Sequence, residues 1–341
     1  MVDSTPSECA ASEQSATEDV AETASGTSRR RPFRWIPLAG GIFTLLVVAW
    51  AALPAWSGYL GSHPIGWITL LIGAMVGAAL VWWSRRQPAD PLRRPSLRWV
   101  ARIAAGLGVT LLIGTIWYTK PFPAESVATD ALRSGDGVTI DDDWTRITMT
   151  PDRPTGTGLV FYPGARVEPR AYTRILRPLA EAGYPVVVVK QPYNLAVLGI
   201  GAAGDVIGDP DDDIDRWVIG GHSLGGAMAA SWAETERDEL VGLLFHAAFP
   251  ANDMSDRELL VASVSGTNDG LADVDDIAQS VAELPPTTTF VAIEGAIHAH
   301  FADYGSQDGD GQPGIDRDEA QAQIVAASLG FLDEVDAAAN S

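Results

Sequence analysis

Three uncharged stretches set the first limit on what this chain can fold into. Residues 35–56, 64–83 and 99–118 each have about the length that a helix needs to cross a hydrocarbon core, and Arg102 is the only charge in any of them. Core helices of water-soluble proteins rarely run so long without a charge, so three transmembrane helices are expected. Arg102 lies near one end of its stretch, where its guanidinium can reach the interface. Trp35, Trp56, Trp67, Trp82, Trp83, Trp99, Trp117 and Tyr118 cluster at the ends, as interfacial anchors do. Arg29, Arg30, Arg31 and Arg34 precede the first stretch, residues 57–63 hold no Lys or Arg, and Arg85, Arg86, Arg93, Arg94 and Arg98 fill the second loop. Cytoplasmic loops carry the excess of positive charge, so the N-terminus is expected inside and residues 119–341 outside the cytoplasm. A cleaved signal peptide competes for the first stretch, because Ala52 and Ala55 are small. Two further stretches and a long preceding tail count against it.

The three stretches hold no carboxylate, no histidine and no paired charges, the marks of an ion path. They are expected to anchor the chain in a bilayer. Gly73, Ala74, Gly77, Ala78 and Ala79 leave room for helix packing, with a second copy of the chain as a candidate partner. Residues 1–28 are rich in Ser, Thr, Glu and Ala and are expected to be a disordered acidic tail. The chain's one cysteine, Cys9, falls there, so disulfides do not hold the fold. The net charge of −21 comes mainly from the region after residue 118, an acidity that argues against nucleic-acid binding. The chain therefore divides into the tail 1–28, a membrane region 29–118 and a domain 119–341.

That domain reads as alternating strands and helices. Residues 138–140 and 145–150 resemble an opening hairpin. Residues 159–162, 216–220, 240–245, 259–264 and 289–293 read as strands, and Pro185-Val-Val-Val-Val-Lys190 is a β-branched run of the kind found in a strand covered on both faces. Helical spacing appears over 170–182, 272–284 and 318–335, and 194–206 is expected to be helical. The alternation predicts an α/β fold with a doubly wound, mostly parallel sheet.

Residues 219–230 read IGGHSLGGAMAA and contain Gly221-His222-Ser223-Leu224-Gly225, a G-x-S-x-G pattern. With 34 glycines in 341 residues, roughly 0.2 chance matches are expected, so the setting has to carry the argument. The motif sits between an apolar strand and a run of helix formers, the strand–turn–helix in which a serine projects at a strained bend. Acyl transfer by serine needs a base for the hydroxyl proton, an acid that orients the base, and donors for the oxyanion. Ser265-Gly-Thr-Asn-Asp269-Gly270 follows the 259–264 strand, and Glu294-Gly-Ala-Ile-His298 follows the 289–293 strand. His300 competes with His298 as base, and Asp253 and Asp273 compete with Asp269. Distance from the strand end favours His298; Asp253 precedes the required strand, and Asp273 is placed to open a helix.

On GGHSLGGAMAA, GTNDG and IEGAIHAHFADYG, residues from about 157 to 335 resemble the α/β-hydrolase superfamily, most of all its dienelactone-hydrolase-like branch of compact serine hydrolases. The resemblance implies an α/β-hydrolase fold with Ser223 as nucleophile, Asp269 as acid and His298 as base, and no metal or cofactor. An oxyanion hole from the backbone N–H groups of Leu224 and Ala165 is expected with it. The His-Gly common after the first long strand is here Tyr162-Pro163-Gly164. Dienelactone hydrolases proper use cysteine, so their substrate does not carry over. His222 is expected to point away from the cleft and His246 to be a core or rim histidine. Residues 308–319 place carboxylates at positions suggestive of a calcium loop, but Pro313 replaces the turn glycine and a solvated acidic loop is the better reading. Residues 250–258 leave no room for a lid domain, so the site is expected to be open, covered only by the spans and the 194–210 loop. A membrane-anchored serine hydrolase acting on a small acyl ester is the expectation. A catalytically degenerate fold used for binding is the alternative, separated from it by whether ester turnover needs Ser223.

Overall fold

The computed structural model describes residues 35–85, 95–208, 214–235 and 239–339. The tail with Cys9 and most of the arginines from which the orientation is read lie outside the described residues, as do residues 209–213. Three apolar helices come first: α1 (Trp35–Gly61), α2 (Ile65–Ser84) and α3 (Pro95–Tyr118). Each contains a window long and apolar enough to cross a membrane. Pro54 lies inside α1 and removes an amide donor from its ladder, and the helix kinks at Ala55 (φ −130°, ψ 21°).

Small residues set how closely these helices approach. A Cβ on Gly41 of α1 would lie 2.7 Å from the Gly77 carbonyl oxygen of α2, and one on Gly73 would meet Ile116 of α3 and Val48 of α1. Ala51, Ala55, Tyr59, Leu70 and Ile116 form the buried centre between the three helices. Two of the small residues noted in the second stretch therefore serve contacts within the chain.

After a short helix α4 (Ser126–Asp130) the chain builds one eight-stranded sheet in the order β1-β2-β4-β3-β5-β6-β7-β8. The strands are β1 (Val138–Asp142), β2 (Arg146–Pro151), β3 (Thr157–Tyr162), β4 (Val186–Val189), β5 (Arg216–His222), β6 (Leu240–His246), β7 (Leu260–Gly266) and β8 (Thr289–Ile293). β1 and β2 pair antiparallel, β2 runs antiparallel to β4, and the other pairs are parallel. Successive side chains alternate faces. Leu159 and Phe161 of β3 and Val186 and Val188 of β4 therefore pack with Ile175, Leu176 and Leu179 of α5 (Thr173–Glu181) and Ile324 and Leu332 of α8 (Arg317–Ala339). Val160, Val187 and Ile219 face the other way, with Ala229 and Trp232 of α6 (Leu224–Ala233). Coverage on both faces explains the uninterrupted apolar runs of β3 and β4.

The expected helix over 194–206 is replaced by short 3-10 segments, Pro192–Asn194, Ala196–Leu198 and Ile200–Asp205, with Tyr193 and Asn194 at φ 57° and 54°. Glycines at 199, 201 and 204 weaken an α-helix there. The Tyr162 hydroxyl fixes the segment instead, donating to the Ile200 carbonyl at 2.5 Å and accepting from the Ala203 N–H at 2.8 Å.

Gly41→Leu is expected to lower the melting temperature of the detergent-solubilised chain by the equivalent of about 1–3 kcal/mol of overpacking. Gly40→Leu, where an added Cβ meets nothing within 4 Å, is the control and should melt like the parent.

Candidate active site

β5 ends at His222, and the chain turns at once into α6. Ser223 occupies the turn with φ 54° and ψ −128°, a strained backbone held by its own N–H, which donates to the His246 carbonyl at 3.1 Å. Glycines let the surrounding backbones close on this turn. A Cβ on Gly221 would collide with the backbone of Gly225 and Gly226, and one on Gly225 would run into the carbonyls of Tyr162 and Pro163 at the end of β3. α6 thus begins against the end of β3. The Leu224 N–H, the first of this helix, has no intrahelical partner, and the Ala165 N–H has none among the described residues.

The loops after β7 and β8 carry the other groups. The His298 ring donates or accepts through Nδ1 with Asp269 Oδ2 at 2.8 Å, and both side chains are buried. The other Asp269 oxygen accepts from the N–H groups of Leu271 and Ala272, each at 2.8 Å. These bonds fix the carboxylate and leave its second oxygen for the imidazole. His298 Nε2 is buried without a hydrogen-bond partner. Its ring centroid lies 4.5 Å from that of His222, the residue before Ser223. The fold thus gathers the serine elbow, His298 and Asp269 from three loops at the carboxyl edge of the sheet.

The competing residues are placed elsewhere. His300 follows in the same 3-10 turn, and its nearest charges are Arg317, Asp310 and Asp316. Asp253 closes a turn through the Ser255 N–H, and Asp273 caps α7 (Val274–Ser280) by accepting from the Asp276 N–H. His246 is buried, with Nε2 2.8 Å from Ser328 Oγ.

His222 is buried as well, yet it does not simply point away. Gly164 N–H donates to the Tyr172 hydroxyl at 2.8 Å, so that hydroxyl's own proton is available to His222 Nδ1, also at 2.8 Å. This relay ties the loop after β3 to the elbow. Burial holds both histidines neutral: His222 falls well below the usual imidazole range, with the neighbouring His298 and His246 adding to the effect, and His246 falls to about 3.

Residues 308–319 are not merely a solvated acidic loop. The Asp310 carboxylate accepts from His298 N–H at 3.0 Å, Ala299 N–H at 2.9 Å and Gly311 N–H at 2.7 Å, with Gly270 N–H at 3.4 Å. One side chain therefore joins the loop that carries Asp269 to the loop that carries His298. Among the described residues no cluster of three or more His, Cys, Asp or Glu side chains could hold a metal ion. Asp269 and His298 are buried and Ser223 is half-buried, so the site is less open than the missing lid domain suggested.

Residues 158–322 match the alpha/beta hydrolase family. Solved structures similar to the chain include a predicted CIB-like hydrolase from Thermoplasma acidophilum. It is 17% identical over 57% of this chain and 99% of its own, with a TM-score of 0.44. TT1662 from Thermus thermophilus is 14% identical over 58% of this chain and 98% of its own, also with a TM-score of 0.44. No curated protein matches the chain.

Asp310→Ala should leave at least three backbone donors without their acceptor. The expected outcome is a loss of about 1–3 kcal/mol per stranded buried group and a fall of tenfold or more in the rate at which a serine-directed phosphonate labels the protein. Acid should also destabilise the fold. The folded pKa values of His222 and His246 lie below the unfolded value near 6.5, so the unfolded chain binds protons that the folded chain does not. Stability is complete above about pH 6.5 and is lost below it, by about 1 kcal/mol per pH unit for each histidine. Melting curves between pH 7.5 and 5 would show this, and His246→Phe should make the slope shallower.

Proposed function

From a chain that carries an α/β-hydrolase domain behind three apolar helices, we propose a membrane-anchored serine hydrolase that cleaves acyl esters with its catalytic domain outside the cytoplasm. The observation that carries this reading is the Asp269–His298 pair, whose Nε2 has no partner and whose ring stands beside the serine elbow. In this reading Ser223 Oγ attacks the acyl carbonyl and His298 Nε2 takes its proton. Asp269 holds the Nδ1–H tautomer and stabilises the imidazolium that forms.

The tetrahedral oxyanion is received by the N–H groups of Leu224 and Ala165, one at the start of α6 and one on the loop after β3. His298 then returns the proton to the leaving alkoxide, and the acyl group stays on Ser223. Water, deprotonated by the same imidazole, attacks the acyl carbonyl; the proton then passes to Ser223 Oγ as its bond to the acyl carbon breaks and the acid leaves. These steps need only protein groups and water. The positive-charge excess around 29–34 and 85–98 supports the outward orientation.

The test is labelling of intact cells with a membrane-impermeant fluorophosphonate. Labelling that disappears in Ser223→Ala supports both the nucleophile and the orientation. Labelling that appears only after lysis keeps the enzyme and reverses the orientation. No labelling in either state would leave a degenerate fold used for binding. Asp269→Asn should retain the fold and cut ester turnover by about 10⁴, since the imidazole then adopts the wrong tautomer.

A further inference from the structure

The apolar helices and the catalytic groups meet at the same edge of the sheet. Ser223, Asp269 and His298 follow the carboxyl ends of β5, β7 and β8. The contacts between the helices and the domain fall on the segments that follow β3 and β4, at that edge too. Arg166 donates to the Tyr118 carbonyl at the end of α3 (3.2 Å), and Asn194 Nδ2 donates to Ser62 Oγ between α1 and α2 (2.8 Å). A Cβ on Gly61 would overlap the Glu168 carboxyl.

The Tyr193 hydroxyl lies 2.9 Å from Thr69 Oγ1. Thr69 is the fifth residue of α2, which puts the phenol about 6 Å along the apolar helix at 1.5 Å per residue. A tyrosine at that depth suits the interface between lipid and water.

The segment around Tyr193 has the surface chemistry of a lipid contact. Residues 191–204 read QPYNLAVLGIGAAG and carry no charge, in a domain otherwise dense in carboxylates. Val197 and Leu198 are 53% and 54% exposed. Leu198 and His63, from the turn between α1 and α2, line one cavity of about 500 Å³, whose lining also carries the polar groups of Arg146, Lys190 and Asp205. Gln191 borders it too, buried with both amide atoms unpartnered. The same segment reaches the oxyanion loop, because the Asn194 carbonyl accepts from Arg166 N–H at 2.7 Å, one residue from Ala165.

The geometry points to a catalytic edge seated on the bilayer, with residues 192–204 as the lipid-facing rim and a membrane-dissolved, long-chain acyl ester as the substrate class. Val197 and Leu198 dip among the lipids, and the ester reaches Ser223 from the leaflet that faces the domain. This inference rests on the serine-hydrolase reading and deepens it.

The test compares two phosphonates on the full chain in phosphatidylcholine nanodiscs. One is a short fluorophosphonate on a polyethylene glycol tail that stays in water, and the other is a hexadecyl fluorophosphonate dissolved in the disc lipid. Val197→Asp/Leu198→Asp should slow Ser223 labelling by the hexadecyl probe about tenfold, since carboxylates resist the interface. Its labelling by the short probe should stay within about twofold of the parent. Val197→Ala/Leu198→Ala, which adds no charge, should slow the hexadecyl probe alone and by less. Equal slowing of both probes in the alanine pair, or no change with the hexadecyl probe in the aspartate pair, overturns the membrane entry while leaving the hydrolase intact. If neither probe labels Ser223 in the parent chain, the serine-hydrolase reading falls, and this inference with it.

Discussion

The site depends first on backbone meeting backbone where α6 begins. Gly225 lies so close to the carbonyls of Tyr162 and Pro163 that no side chain fits between them. That contact fixes three things together: the start of the elbow helix, the end of β3, and the loop that follows it. In the proposed reaction, Ser223 just before α6 and the Ala165 N–H on that loop can act on one carbonyl only if their spacing is closely fixed. Main-chain contact sets it more firmly than flexible side chains could. The Gly164–Tyr172–His222 hydrogen bonds brace the same joint from the other face of the sheet.

Asp269 and His298 are aligned by a different device. Their loops follow the neighbouring parallel strands β7 and β8 and are bonded directly where the Asn268 N–H donates to the Ala296 carbonyl at 2.9 Å. The half-buried Asp310 carboxylate adds to this, accepting from the Gly270 N–H on one loop and the His298 and Ala299 N–H groups on the other. Charge-assisted bonds of this kind are shorter and stronger than neutral ones, and several converging on one group are directional. The Asp310 carboxylate accepts from main-chain N–H groups, and so holds the main chain of His298 in place.

The sequence was legible where local pattern and tertiary demand agree. The β-branched run 185–190 became β4, the hairpin formed as β1 and β2, and the uncharged stretches became helices with ends within a few residues of those expected. Spacing from the strand end favoured His298 over His300, and His298 is the one whose Nδ1 meets Asp269. Legibility failed in two places. Residues 194–206 have apolar spacing like a helix, but their glycines and the Tyr162 hydroxyl select 3-10 turns. Asp310 could not be recognised, because its partners on the acid loop lie 40 residues away and an Asp-Gly-Asp-Gly loop looks the same whether solvated or bonded.

The join between α3 and the domain is short. From Tyr118 the chain reaches Phe122 within four residues, and Phe122 already pairs with Val167 of the loop after β3. A flexible linker of n residues would let a catalytic domain sweep a radius of about 5–6 Å × √n. Here there is no such radius. In the proposed seating on a bilayer, the edge that carries Ser223 is held near one height and tilt. Lateral diffusion in the membrane plane, two-dimensional and independent of any tether, would then be the motion that brings ester and serine together.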